Sequence, residues 1–499
     1  MKLQEWTIAE LQSMMTAGEL TARHLTELYL ERIDAIDRNC PKINSVIEIN
    51  PDALAIASTL DNERHSGRIR GSLHGIPVLI KDNIDTHDRM QTTAGSLALG
   101  GHIAPCDAFI VKKLRSAGAV ILGKTNLSEW ANFRGKHSIS GWSSRGGLTR
   151  NPYILDRSAC GSSTGSSVAV AANLCTVSIG TETDGSIICP SQSNSIVGIK
   201  PTIGLWSRSG IIPIAHSQDT PGPMARTVAD AAILLGALTG VDKQDPTTRL
   251  GEKRALKDYT QFLDKNGLKG ARIGVARKMT GTDKRIINIL ESCLDAMKQM
   301  GAVIVDPANV ENFNKFSKSE MEVLHYEFKA DLNKYLSSTN APMKTLAEII
   351  KFNKENKNRV MPYFGQEHME IAQKKGSLMD RKYRSALAKN HQLTRKEGID
   401  ATMRKHKLDA IVVPSGGPSW IIDLINGDAA NWDMESSSPP AVAGYPHITV
   451  PAGYINGLPI GISFFAKAWQ EPTLIRLAFA FEQATKIRKP PEFLPTVKL

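Results

Sequence analysis

No stretch of this sequence approaches the roughly 20 consecutive apolar residues that a membrane-crossing helix requires. The nearest candidates, such as residues 166–174, are short and rich in Ala. The first residues place Lys2 ahead of no apolar h-region, so a secretory signal is not expected and the cytoplasm is the predicted location. Cysteine is scarce: Cys40, Cys106, Cys160, Cys175, Cys189 and Cys293 are scattered, and none forms a C-x-x-C pair. A chain of 499 residues can bury a core without disulfides, so free thiols in a reducing compartment are the expectation. There is no H-x-x-x-H pattern and no Cys/His cluster, which removes a readable metal site. No G-x-x-x-x-G-K-[ST] loop occurs, and Gly180-Thr-Glu-Thr-Asp-Gly185 lacks the Gly-x-Gly start of a dinucleotide fingerprint. Its two acids would repel phosphate. No metal and no cofactor are therefore expected.

A compact basic run interleaved with aromatics is also missing. The net charge of +11 is spread among Asp and Glu, as in 251–269 and 355–404. That distribution fits a solvated, mildly basic surface and gives no nucleic-acid or membrane site. What remains is an ordinary globular composition, with 41% hydrophobic and 22% charged residues.

Residues 1–60 read as helices: Thr7-Ile-Ala-Glu10 offers a capping box, and 21–36 carries apolar residues at helical spacing. Gly75-Ile-Pro-Val-Leu-Ile80 reads as a short buried strand ending at Lys81. Residues 108–117 read as a helix and 119–122 as a strand, followed by a Gly/Ser/Asn-rich loop over 133–167. A small-residue helix (166–173), a strand (176–180), a strand-like segment (197–201) and a helix (227–239) follow. Residues 245–405 are charged and mostly helical, with a strand pair at 271–275 and 303–306. Ile411-Val-Val-Pro414 and Ile448-Thr-Val-Pro451 return to buried-strand texture, and 473–485 closes as a helix. The alternation predicts an α/β protein: one large domain over 1–499, with a mixed central β-sheet covered by helices on both faces. Its parts are N-terminal helices (1–60), a motif-bearing core (61–244), a helical elaboration (245–405) and a return to the core sheet (406–499).

Gly161-Ser-Ser163-Thr-Gly165 matches the G-x-S-x-G nucleophile elbow letter for letter. That elbow needs a strand immediately before it, to expose the serine on a strained strand-to-helix turn. Residues 150–160 contain Pro152 and much polar character, which argues against such a strand.

Six other stretches decide the matter together: Gly75-Ile-Pro-Val-Leu-Ile-Lys-Asp82, Gly123-Lys-Thr-Asn126, Cys160-Gly-Ser-Ser-Thr-Gly165, Gly180-Thr-Glu-Thr-Asp-Gly-Ser-Ile187, Val197-Gly-Ile-Lys-Pro-Thr202 and Gly222-Pro-Met-Ala-Arg226. In these residues and their order the sequence resembles the amidase signature family, over nearly the whole chain and most weakly in 245–405. The resemblance implies the amidase signature fold and a Ser–Ser–Lys triad. Its nucleophile is Ser186, its bridging serine is Ser162 behind a cis Gly161–Ser162 bond, and its base is Lys81. It implies an oxyanion hole from the N–H groups of Thr183, Asp184, Gly185 and Ser186, with Ser163 as an auxiliary.

The chemistry suits these residue types. A serine hydroxyl is a poor nucleophile until a base takes its proton. Lysine serves only when neutral, and burial at the end of an apolar strand lowers its pKa. Taken singly, Lys81 reads as a strand-end lysine, Ser186 as a turn residue, and Ser162 and Ser163 as helix caps; the ordered set outweighs those readings. His137 and His216 lie near the same loops and read as structural.

The family pattern has Gly-Gly before the nucleophile, where this chain has Asp184-Gly185. Within the family, Ser128-Glu-Trp-Ala-Asn-Phe-Arg134, Gly141-Trp-Ser-Ser-Arg-Gly-Gly147 and Ser217-Gln-Asp-Thr-Pro-Gly-Pro-Met224 are similar to bacterial peptide amidases. That similarity implies hydrolysis of a carboxamide, the C-terminal amide of a peptide, to carboxylate and ammonia, with no obligate protein partner. It would border the substrate pocket with Glu129, Trp130, Ala131, Trp142, Ser143 and Arg145; core packing is the alternative for the two tryptophans. Two alternatives remain open: the glutaminase-type component of a glutamyl-tRNA amidotransferase, and a catalytically silent binding homologue.

Overall fold

The computed structural model describes residues 3–430, 434 and 436–498. Eleven strands form one sheet: β1 (Val46–Ile49), β2 (Pro77–Lys81), β3 (Val120–Thr125), β4 (Val177–Glu182), β5 (Val197–Lys200), β6 (Thr220–Ala225), β7 (Arg272–Val275), β8 (Val303–Val305), β9 (Ala410–Pro414), β10 (His447–Ile455) and β11 (Leu458–Phe465). Their order across the sheet is β1-β3-β2-β4-β6-β5-β10-β11-β9-β7-β8. The β3-β2-β4 and β9-β7-β8 neighbours run parallel, and the remaining pairs run antiparallel. The fold is thus a single α/β domain with a large mixed sheet flanked by helices.

The apolar runs that mark the central strands are buried throughout, as strands covered on both faces require. One hydrophobic cluster extends from Ile8 in the first helix to Phe481 in the last. The helix Thr164–Ala171 lies wholly buried behind the sheet ends, which its small residues permit. A Cβ at Gly165 would stand 2.3 Å from the Ser45 carbonyl oxygen, so this close approach requires glycine.

The structure departs from the sequence expectation in several places, among them the central strand β11 (Leu458–Phe465), which was not expected. Residues 1–60 hold an edge strand as well as helices: β1 pairs antiparallel with β3 through Val46, Glu48 and Ile49. Its four residues, Val46 buried and the other three partly so, carry too little pattern to stand out. Strand β6 was not expected, because Pro221 and Pro223 argue against a central strand. They occupy alternate positions, so both lack a donor on the same side, and β5 pairs only with Met224 and Ala225 beyond them. The strand pair within 245–405 extends the main sheet as β7 and β8. The helices after it pack a second cluster, including Leu324, Phe328 and Ile349, against Trp130, Phe133 and Ile214.

Candidate active site

Strands β2 and β4 are parallel neighbours, with Ile80 opposite Ile179, so their C-terminal ends emerge side by side. Clefts beyond such ends are the usual ligand sites of α/β sheets. Lys81 closes β2, while β4 leads through Glu182 into the turn Thr183–Ser186. The segment Cys160–Ser163, with a cis Gly161–Ser162 bond, approaches the same ends ahead of the buried helix.

The Lys81 side chain is fully buried, and its Nζ lies 2.8 Å from Ser162 Oγ, 3.0 Å from Ser163 Oγ, 2.9 Å from Thr181 Oγ1 and 3.2 Å from the Thr181 carbonyl oxygen. Burial pulls its pKa down to about 7, against the opposing pull of Asp219 and Glu182. Lys124 and Lys200 are equally buried, and burial lowers both of their pKa values as well. Lys81 is distinguished by the two serine hydroxyls at its nitrogen. A neutral amine there frees a lone pair to accept from one of them.

Ser163 braces this arrangement. Its Oγ donates to the Thr181 carbonyl at 3.0 Å and accepts from Thr181 N–H at 3.1 Å. Its own N–H donates to the Ser186 carbonyl at 3.1 Å, which holds the two serine-bearing turns against each other. Gly180 makes room for it, since a Cβ there would stand 2.8 Å from Ser163 Oγ.

Gly185 has φ 78°, the left-handed conformation that lets the chain double back at Ser186. Buried Glu182 accepts from the N–H groups of Ile187 (2.7 Å) and Ile188 (3.0 Å), fixing the start of the helix Ile188–Ser193. Thr183 Oγ1 donates to Asp219 at 2.6 Å, and the other Asp219 oxygen accepts from Ile214 and Ala215 N–H. Burial pushes the Asp219 carboxyl up to about 6. Asp184 accepts from Ser437 Oγ at 2.7 Å, and burial, reinforced by Glu320, raises its carboxyl well above the usual range.

Ser186 opens onto a cleft of about 220 Å³ whose walls include Ala131, Phe133, Ile188, Ile214, Leu324 and Trp420. A larger cavity of about 500 Å³ adjoins it, meeting Thr183 from the side of Asn83, Thr181 and Asp219. Of the expected border residues, only Ala131 lines the cleft. Glu129 and Arg134 instead form a fully buried ion pair of 2.8 Å. The Arg134 guanidinium lies 4.0 Å from the Phe364 ring centroid and 5.2 Å from that of Trp142, and it donates to the carbonyls of Val360 and Phe364. This clamp holds the motif loop to the helical part of the chain. Trp130 is buried in the second cluster. Ser143 donates to Asn126, while Arg145 pairs with Glu48 and Asp82. Those side chains serve packing and loop anchoring. His216 pairs with Asp331 at 2.8 Å and lies 3.4 Å from Glu327. The three form a cluster of potential metal ligands, but their carboxylates already accept from the N–H groups of 216 and 217 and from Tyr383.

Two features escaped sequence reasoning. Asp219 and Thr181 sit within quoted motif stretches, but no spacing rule assigned them a contact with the turn or with Lys81. The cysteines expected as free thiols need correction: Cys160 and Cys189 form a disulfide, while Cys40, Cys106, Cys175 and Cys293 are free. Residues 29 apart in sequence gave no sign that folding would bring them within 6.0 Å between Cα atoms.

Comparison with known proteins gives a consistent picture. Residues 24–475 match the family model described as Amidase. The chain is similar to a native peptide amidase from Stenotrophomonas maltophilia, with 51% identity, a TM-score of 0.94 and 98% of each chain covered. A probable amidase of Arabidopsis thaliana is 42% identical over 99% of this chain and 92% of its own length. The corresponding component of the glutamyl-tRNA(Gln) amidotransferase from Pseudomonas aeruginosa is more distant, at 33% identity over 97% of this chain and 98% of its own.

Proposed function

This chain belongs to the amidase family and is an amidohydrolase acting on amides; from that premise we propose that it removes the C-terminal amide of peptides as ammonia, through an acyl-enzyme on Ser186. The observation that carries the catalytic part is the fully buried Lys81, whose Nζ lies 2.8 Å from Ser162 in a segment bonded to the Ser186 turn.

Neutral Lys81 accepts the Ser162 proton as Ser162 takes one from Ser186, whose oxygen then adds to the amide carbon. The oxyanion that forms is held by N–H groups of the turn 183–186. The proton returns through Ser162 to the amide nitrogen, the C–N bond breaks, and ammonia leaves. Water, deprotonated along the same route, then attacks the ester and releases the carboxylate. The apolar cleft walls and the similarity to peptide amidases support a peptide acyl group. The whole-length likeness to a bacterial peptide amidase exceeds that to the amidotransferase component, so no partner protein is invoked.

Among the described residues no helix is long and apolar enough to cross a membrane. The cytoplasmic location expected from sequence implied free thiols; the Cys160–Cys189 bond favours a compartment that keeps disulfides oxidised. The test is ammonia release by the purified chain from a peptide amide and from free glutamine. Release from the peptide amide without a partner supports the proposal. Release from glutamine only with partner proteins present would replace it by the amidotransferase reading, and silence on every amide by the binding-homologue reading.

A further inference from the structure

The disulfide joins the two segments that carry the reacting serines. Cys160 stands two residues before Ser162, and Cys189 three residues after Ser186, with its N–H on the Gly185 carbonyl at 2.8 Å. Both cysteines line the cleft that opens on Ser186. The hydrogen bond from Ser163 N–H to the Ser186 carbonyl also ties the same two turns. Cys160 has φ 55°, a left-handed conformation that a non-glycine residue holds only when its surroundings impose it. Its carbonyl accepts from Thr164 Oγ1 at 2.6 Å, so it is anchored to the helix on one side and to Cys189 on the other.

We propose that the Cys160–Cys189 disulfide is a positioning link that sets the approach of Ser162 to Ser186, so that its reduction slows the chemical step while the chain stays folded. The proposal rests on the roles assigned above to those two serines. Proton relay between hydroxyls needs hydrogen-bond contact, and a slip of about 1 Å between reacting groups can cost roughly 100-fold in rate. The redox step uses a dithiol as reductant. One of its thiolates attacks a cysteine sulfur and expels the other cysteine as thiolate. Its second thiol then displaces the first cysteine, leaving two protein thiols and the oxidised, cyclic reductant. A small-molecule disulfide reverses the exchange.

The experiment treats the full chain with dithiothreitol and counts, by mass, the thiols alkylated after samples are unfolded in guanidinium, since Cys175 and Cys293 are buried, expecting four before reduction and six after. In each state kcat and KM are measured on a peptide amide, together with the acylation rate by p-nitrophenyl acetate, which any activated serine attacks. We expect kcat and the acylation rate to fall about 10- to 100-fold on reduction, with KM changed less than about twofold and far-UV circular dichroism unchanged. Reoxidation restores the rate, and saturating peptide amide slows the reduction by covering the cleft. The variant C160A/C189A has the low rate with or without dithiothreitol. Equal rates in both states would overturn the proposal, as would a loss of activity that tracks a loss of helical signal. If the oxidised chain acylates with the ester but hydrolyses no peptide amide, the substrate assignment fails and the redox comparison still stands.

Discussion

Replacing Asp219 with Asn isolates the charge that opposes neutral Lys81. With Lys81 held at about 7, the neutral, active fraction is about a tenth at pH 6 and nine tenths at pH 8. The rate on a neutral amide should therefore climb roughly tenfold between those values. An ordinary lysine, near 10.5, would be only about 0.03% neutral at pH 7. Asp219 stabilises the protonated lysine and so raises the midpoint of this limb. Its own carboxyl, at about 6, is mostly ionised at pH 6.5, where the comparison is cleanest. Asn at 219 keeps the geometry: its Oδ1 accepts from Ile214 and Ala215, and its Nδ2 donates to Thr183 Oγ1 with the direction reversed. Loss of the charge should move the acid limb to lower pH. At pH 6.5 the wild type should show about a quarter of its plateau rate and D219N about half or more. The assay is ammonia release across pH 5–9, with kcat/KM fitted for each enzyme. An acid limb near pH 10, or a limb that moves upward in D219N, would refute the assignment of Lys81 as the base.

The same lysine makes a separate prediction about stability. Its folded pKa lies below its unfolded one, so the unfolded chain binds more protons between about pH 7 and 10.5 and stability rises with pH across that window. Urea unfolding at pH 7.5 and 9.5 should show a rise attributable to this group of roughly 2–3 kcal/mol, which K81M removes. S186A should abolish turnover, and S163A should reduce it by a smaller factor, because the Ser163 hydroxyl acts through its contacts with Thr181 and Lys81; steady-state kinetics with circular dichroism as a folding control checks both. R134A should destabilise the chain by about 3–5 kcal/mol, since Glu129 is left as a buried unpaired charge. Replacing both partners with apolar residues of similar volume should cost much less, as denaturant midpoints will show. G185A should lower kcat, because a left-handed φ of 78° strains a residue with a Cβ and shifts the N–H groups of the turn.

Much of this protein was legible in its sequence because its signals are local. The apolar run 77–80 marked a strand buried on both faces, and the small residues of 166–173 marked a helix that packs closely, which the structure starts two residues earlier, at Thr164. The ordered motifs pointed to Lys81, Ser162 and Ser186, and the missing strand before Gly161 set aside Ser163 as an elbow nucleophile. Strand β6 was hidden because propensity argues against Pro221 and Pro223, and only the incomplete coverage by β5 makes them tolerable. Trp142 and Arg145 were expected at the substrate because a motif position does not say which way a side chain faces. Folding turned the first onto Arg134 and the second toward Glu48 and Asp82.

The sequence by itself determined most of the elements, the fold class and the chemistry that a lysine and two serines can perform, because strand texture, turn residues and motif order are properties of neighbouring positions. Only the tertiary structure decided that Lys81 sits fully buried between two serine hydroxyls, that Asp219 braces the turn before Ser186, and that Cys160 is bonded to Cys189. Each of these depends on the distance and dielectric between segments that are remote in the chain. Such quantities come into existence when the parallel ends of β2 and β4 are brought side by side.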